Sequence, residues 1–383
     1  VLTTLAIEGY RSLRHVIVPL TGLTVVTGAN GTGKSSVYRS LRLLAEASRN
    51  GAIAALAREG GLPSVLWAGP ENGTPKGMPT QGTRRQGPVA LRLGFASDEF
   101  SYAIDFGLPV PSDRSMFGRD PEIKVESVWS GPVLRPSTVL TERRGSLVRV
   151  RDAAGGWSHH ERGLRPYDSM LGELADPRSA PELLALRDLL RSWRFYDHVR
   201  TDAAAPARLP QIGTRTPVLS GEGADLAAAL QTIRELGPAG ALDAAVGRAF
   251  PGSSVVVTDH DGLFGLELRQ PGLLRPLAAS ELSDGTLRYL LWIAALLSPR
   301  PPGLLVLNEP ETSLHPDLVE PLAELIAGAA ENSQVIVVSH APRLIAALDG
   351  LGASRIELGK SGGETRVAGQ GALDEPLWKW PER

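Results

Sequence analysis

Gly28-Ala29-Asn30-Gly31-Thr32-Gly33-Lys34-Ser35-Ser36 fits the pattern G-x-x-x-x-G-K-[ST]. Glycines at this spacing let a backbone curl around an anion with its N–H groups inward, and the lysine supplies charge for the β and γ phosphates of a nucleotide. Ser35 carries a hydroxyl of the kind that ligates Mg²⁺. A helix beginning near Ser36 would turn its positive end toward the same phosphates. The bland alternative is a glycine-rich turn that binds nothing. It fits less well, because the apolar run Leu23-Thr24-Val25-Val26 before the loop reads as a strand, and Val37, Leu41 and Leu44 after it recur at helical spacing.

Three later segments carry groups able to act on a phosphate. Leu282-Ser283-Asp284-Gly285-Thr286 opens a helix reaching Leu297, so a hydroxyl and free N–H groups meet at a helix start. The same residues would serve equally as an ordinary N-cap. Leu304-Leu305-Val306-Leu307-Asn308-Glu309-Pro310-Glu311 puts polar residues at the carboxyl end of a buried strand, where parallel sheets bind ligands. Glu309 there could orient and deprotonate a water, or could simply begin a loop. Val337-Val338-Ser339-His340 repeats the arrangement, and His340 could donate a hydrogen bond to a γ-phosphate or be a structural residue.

The elements that would position these groups follow from periodicity. Thr4 to Ile7 and His15 to Pro19 read as extended, with Gly9-Tyr10-Arg11-Ser12-Leu13-Arg14 between them. Residues 60 to 88, rich in Gly and Pro, read as a long loop. From 89 to about 160 the period is two, with Leu91, Leu93 and Phe95, then Tyr102, Ile104 and Phe106 on one face, and Ile123 to Trp129 and Leu147 to Arg151 as further strands. This is an antiparallel lobe. Helices follow, with Leu183, Leu186, Leu190 and Trp193 as one stripe and Leu226, Leu230 and Ile233 as another. Arg187, Arg191 and Arg194 fall on a helical face beside the first stripe. Val255 to Thr258 and Phe264 to Arg269 pair as strands. Leu304 to Leu307 and Val335 to Val338 are continuous apolar runs of the parallel, doubly covered kind. Arg355 to Leu358 and Thr365 to Val367 form a hairpin across Ser361-Gly362-Gly363.

Taken in order, these segments resemble the ATP-binding-cassette (ABC) type ATPases, and within them the RecF, SMC and OLD-like branch. The order is phosphate loop, Leu-Ser-x-Gly signature, acidic strand end, a Ser-Leu-His-Pro loop, present as Ser313-Leu314-His315-Pro316, and a switch histidine. The resemblance implies an α/β P-loop NTPase fold: an ABC-type ATPase head with an antiparallel β lobe and a compact helical insertion. It implies head parts at 1–160 and 253–383 flanking an insertion at 161–252. Lys34, Glu309 and His340 become the catalytic set. Gly28 to Ser36, with Arg11, would hold ATP, and Ser283, Asp284 and Gly285 would close over the ATP of a second copy in a head-to-tail homodimer. Ser35 and Asn308 would hold Mg²⁺. Two departures stand out. The position usually held by Asp is Asn308, which offers an oxygen but no charge. The glutamine expected between the lobes has only Gln81 and Gln86 as candidates, neither of them convincing. No extended coiled coil and no nuclease domain after His340 is visible.

What the branch does suggests DNA as a partner, in repair or maintenance. The alternative is a switch in a phage-defence or toxin system that controls a partner effector protein. Composition narrows the rest. The 383 residues are 42% hydrophobic and 21% charged with net charge −2, so a globular protein is expected and no global charge argues for nucleic acid. With no cysteine there is neither a disulfide nor a thiolate metal site. No apolar run is long enough to span a bilayer and no export signal is visible, so a cytoplasmic protein without membrane contact is the expectation.

Overall fold

Strands β1 (Leu2–Tyr10) and β2 (Leu13–Pro19) form a hairpin whose tight turn holds Arg11 at φ 52°. In this computed structural model the described residues are 1–383 except 50, 71–86, 114, 153, 154, 161, 162, 198 and 372. Gln81 and Gln86 therefore lie outside them. Along the chain follow β3 (Leu23–Gly28), α1 (Lys34–Ala47), α2 (Ala52–Arg58) and α3 (Leu62–Val65), the last two inside a stretch that reads from sequence mostly as loop. Next come β4 (Leu91–Ser97), β5 (Phe100–Gly107), β6 (Glu122–Ser130), β7 (Val139–Arg144), β8 (Leu147–Arg151), β9 (Trp157–His159), α4 (Met170–Glu173) and α5 (Pro181–Ser192). The chain continues through β10 (Arg194–Tyr196), β11 (Gln211–Ile212), α6 (Leu226–Leu236), α7 (Ala241–Ala249), β12 (Ser254–His260), β13 (Leu263–Arg269) and β14 (Leu277–Ala278). It then runs through α8 (Asp284–Leu296), β15 (Leu304–Asn308), α9 (Val319–Ala329), β16 (Gln334–Val338), α10 (Pro342–Gly350), β17 (Ser354–Ser361) and β18 (Glu364–Val367).

These elements divide into two compact units. The first comprises residues 1–21, 26–193 and 356–383, and the second 22–25 and 194–355. The helices expected over 161–252 are thus shared out, with α4 and α5 in the first unit and α6 and α7 in the second.

The first unit is organised by one antiparallel sheet in the order β2-β1-β4-β5-β6-β7-β8-β9. Helix α1 packs on β1 and β4, and α5 packs on α1. The α5 stripe Leu183, Leu186 and Leu190 is fully buried, with the Trp193 ring 5.4 Å from Phe95. The arginines beside that stripe do not form one helical face. Helix α5 ends at Ser192, Trp193 is extended, and Arg194 begins a strand. Arg191 donates to the Ser48 carbonyl at the end of α1, so its charge is spent on a helix C-terminus.

The period-two pattern of β4 and β5 predicts one buried face, yet Gly94, Ala96, Ser101, Ala103 and Asp105 are buried as well. The cover is the segment near residue 380. Trp378 lies over Gly94, where an added Cβ would come within 2.5 Å of the indole, and its ring is 5.6 Å from that of Trp129. Arg383 completes the strap with bonds of 2.7 Å to both oxygens of Asp105. Inside the sheet, Glu126 and Arg143 are wholly buried. Glu126 accepts from the Tyr102 hydroxyl, the Ser169 hydroxyl and the Met170 N–H. Arg143 donates to the carbonyls of Gly145, Arg165 and Asp168.

His15 sits opposite Glu8 in the β1–β2 register. The Glu8 carboxylate, with Glu375 at 3.2 Å on the other ring nitrogen, raises its pKa above the ordinary value. A raised pKa stabilises the fold fully below the unfolded value of about 6.5 and loses that contribution as pH climbs through the folded value. The Tm difference between wild type and His15→Asn should therefore be greatest near pH 6 and shrink above about pH 7. A difference that stays level up to pH 9 would mean that the imidazolium contributes nothing.

The second unit has β10, β15 and β16 running parallel, with the start of β3 beside β16. All five residues of both β15 and β16 are buried, as continuous apolar runs predict. Helix α8 is apolar on nearly every side, with Leu287 and Tyr289 through Leu296 buried against α6, α7 and α9. A small antiparallel sheet, β11-β13-β12 with β14, closes this unit. Among the described residues no helix is long and apolar enough to cross a membrane.

Candidate functional site

In the first unit the loop between β3 and α1 has Gly28, Gly31 and Gly33 at φ 143°, 79° and 105°, a region L side chains avoid. Space excludes side chains too. A Cβ on Gly28 would meet the Leu358 carbonyl oxygen at 2.4 Å, and one on Gly33 the Thr365 hydroxyl at 2.5 Å. Gly33 leads into α1 with no side-chain cap, and while the Ser36 N–H bonds the Gly33 carbonyl at 2.9 Å, the Lys34 and Ser35 N–H groups stand at the helix start where an anion would meet them. Lys34 is 6% exposed, and its Nζ donates to the carbonyls of Gly28 (2.7 Å) and Ala29 (3.1 Å). Ser35 is exposed and Ser36 buried. The loop is braced by Thr365 of β18, whose hydroxyl donates to Thr32 O at 2.7 Å and accepts from the Ser12 hydroxyl at 2.8 Å. Arg11 is held by Glu59 at 2.7 Å, and Tyr10 donates to the same oxygen.

In the second unit Ser283 caps α8, accepting from Thr286 N, so the capping role open at the sequence level is realised here. Its neighbour Asp284 is bound by Arg208 at 2.7 Å. Arg208 is 8% exposed and also donates to the carbonyls of Thr201, Ala279 and Leu282, fixing the path of the chain into the helix. Gly285 approaches the Ser313 carbonyl so closely that a Cβ would lie 3.0 Å from it.

At the end of β15, Asn308 is 7% exposed and its Nδ2 donates to Asp197 at 2.7 Å, while Oδ1 is buried with no partner. Glu309 takes φ 48° and Ser313 φ 64°, a costly conformation for residues with a Cβ. The Glu309 N–H is tied to Val338 O, and Trp292 Nε1 holds the Pro310 carbonyl at 2.9 Å. This fixes the bend that leaves the Glu309 carboxylate 3.1 Å from His340 Nδ1. Glu311 accepts from the buried Ser339 hydroxyl at 2.5 Å, and its other oxygen is buried without a partner. His315 caps a short 3₁₀ turn. Thus Asn308, Glu309 and His340 are gathered at the carboxyl ends of β15 and β16, as their strands predict. Asp197, Arg208, Glu311 and Thr365 were not singled out from the sequence. Two carried a usable signal: Glu311 stands in the polar segment that ends β15, and Asp197 is a carboxylate just past the aromatic pair Phe195-Tyr196 of β10.

A family model described as "AAA domain, putative AbiEii toxin, Type IV TA system" matches residues 23–346. No curated protein matches the chain. Among solved structures the chain is similar to the SMC head bound to the C-winged helix domain of ScpA, with a TM-score of 0.51 at 14% identity over 96% of this chain and 97% of that one. An SMC head domain from Thermotoga maritima gives a TM-score of 0.45 at 14% identity, over 96% and 98% of the two chains. One from Pyrococcus furiosus, with an extended coiled coil and bound to the C-terminal domain of ScpA, gives 0.48 at 14% over 96% and 95%. The first of these likenesses speaks for the fold: an α/β P-loop NTPase of the SMC-head kind.

Proposed function

The chain belongs to the AAA_21 family of AAA domains, and on that premise we propose that it binds and hydrolyses ATP and closes head to tail with a second copy while ATP is bound. The observation that carries this reading is the Gly28–Ser36 loop, with its glycines at positive φ, an uncapped helix start and one buried lysine. Lys34 would exchange two loop carbonyls for the β and γ phosphates. Mg²⁺, when bound, supplies charge neutralisation at those phosphates. Ser35 and Asn308 are the residues that would hold it, and the unpartnered, buried Oδ1 of Asn308 fits a ligand's role. Glu309 takes the proton of the attacking water, and His340, sharing a hydrogen bond with it, senses the γ-phosphate. Ser283, Asp284 and Gly285 offer the α8 start to the nucleotide of the second copy.

Lys34→Ala should weaken ATP binding by about 10- to 100-fold, the worth of a charge-assisted hydrogen bond. Titration with a fluorescent ATP analogue would measure it, with thermal unfolding showing that the fold survives. Unchanged affinity would remove the loop as the site.

The work coupled to this cycle has two readings. One is clamping on DNA during repair or maintenance, supported by the motif order shared with the RecF and SMC branch. The other is a switch controlling a toxin or effector partner, supported by the words "putative AbiEii toxin, Type IV TA system" in the family's description. ATP turnover measured with single-stranded, double-stranded and nicked DNA separates them: stimulation by one form favours the first, and indifference to all three favours the second.

A further inference from the structure

Strand β10 lies parallel beside β15 with Tyr196 opposite Leu307, so Asp197 comes level with Asn308. The 2.7 Å bond from Asn308 Nδ2 to Asp197 fixes which way the amide faces, because a carboxylate only accepts. Oδ1 must then point away from Asp197, and there it is buried without a hydrogen-bond partner in a side chain 7% exposed. A buried carbonyl oxygen left unpaired costs stability and calls for an occupant that can use its lone pairs. A divalent cation is such an occupant, and a neutral amide alone would hold it weakly. Were residue 308 an aspartate, two carboxylates would stand side by side and repel one another. With Asn308, the amide and the carboxylate form a matched pair carrying one negative charge.

We propose that Asp197 supplies the anionic charge of the divalent-cation site, in place of a carboxylate at position 308, while Asn308 contributes its neutral Oδ1. This rests on the nucleotide-binding reading given above. The charge has moved from one strand end to the neighbouring one, and the pair keeps a single negative charge.

The test uses Mn²⁺ as the probe, with free Mn²⁺ read by electron paramagnetic resonance in the presence of ATP, and with ATP binding measured separately in EDTA. Asp197→Asn should weaken Mn²⁺ by about 10- to 100-fold while leaving ATP binding in EDTA unchanged. The swap Asp197→Asn with Asn308→Asp should recover Mn²⁺ affinity to within about threefold of wild type, since it restores one amide and one carboxylate. Unchanged Mn²⁺ affinity in Asp197→Asn, or a swap no tighter than that single variant, overturns the assignment. If Asp197→Asn does not fold, the swap alone decides: affinity near wild type supports the assignment and a tenfold loss overturns it. A wild-type protein that binds no ATP with or without metal would instead overturn the reading on which this rests.

Discussion

Glu309→Gln protein is expected to bind ATP as wild type does, to lose about 10²- to 10⁴-fold in kcat, and to accumulate as an ATP-dependent dimer. The substitution keeps the shape and the hydrogen bond toward His340 at 3.1 Å, and asks no new backbone conformation at φ 48°. It removes only the basicity. If hydrolysis is what releases the second copy, ATP then acts as an undischarged ligand of the closed state and stabilises it by mass action. Adding Ser283→Arg should abolish the dimer, because the bulk falls where the partner's phosphate docks. The capping bond to Thr286 lost with Ser283 is worth about 1 kcal/mol, too little to unfold the protein. Light scattering with and without ATP and Mg²⁺ reads the outcome. A Glu309→Gln protein that stays monomeric at saturating ATP, or one that turns over normally, would remove the assigned base and the closing step together.

The second large effect concerns stability. Arg143→Leu should destabilise the first unit by about 3–5 kcal/mol, the cost of removing one partner from a buried charge pair. Glu126 would stay buried with its Tyr102, Ser169 and Met170 donors but without the guanidinium 3.7 Å away. The carbonyls of Gly145, Arg165 and Asp168 would lose their donor. Urea unfolding followed by tryptophan fluorescence should show an early transition, with Trp129 in the affected sheet. A midpoint within error of wild type would mean that the pair is replaceable by packing.

Much of the arrangement was legible because the responsible physics is local. Continuous apolar runs at 304–307 and 335–338, each only four residues long, read as strands covered on both faces, and they are. The helical stripe Leu183, Leu186 and Leu190 gave α5, and Gly28 to Lys34 gave the loop. What stayed hidden depends on partners far along the chain. Nothing in the pattern of Thr4 to Pro19 shows that β1 will pair with β4 and join an eight-stranded sheet. The alternation in β4 and β5 is silent on what covers the second face, because the cover, Trp378 and Arg383, lies in a segment with no periodicity. Thr365 and Arg208 act through bonds to backbone carbonyls, which any hydroxyl or guanidinium could make, so no spacing announces them.

The strap and the Thr365 brace also set a timetable for the protein's birth. Thr365 is 333 residues along the chain from the Thr32 it supports. At about 5–20 residues per second, a ribosome needs on the order of 20–70 s to make that stretch. During that interval the sheet beneath Trp378 stays uncovered and the phosphate loop lacks its brace. Nascent chains should therefore lean on chaperones at this sheet, and tight nucleotide binding should arrive only after synthesis passes residue 365. The brace on the phosphate loop is therefore supplied only once synthesis has passed residue 365.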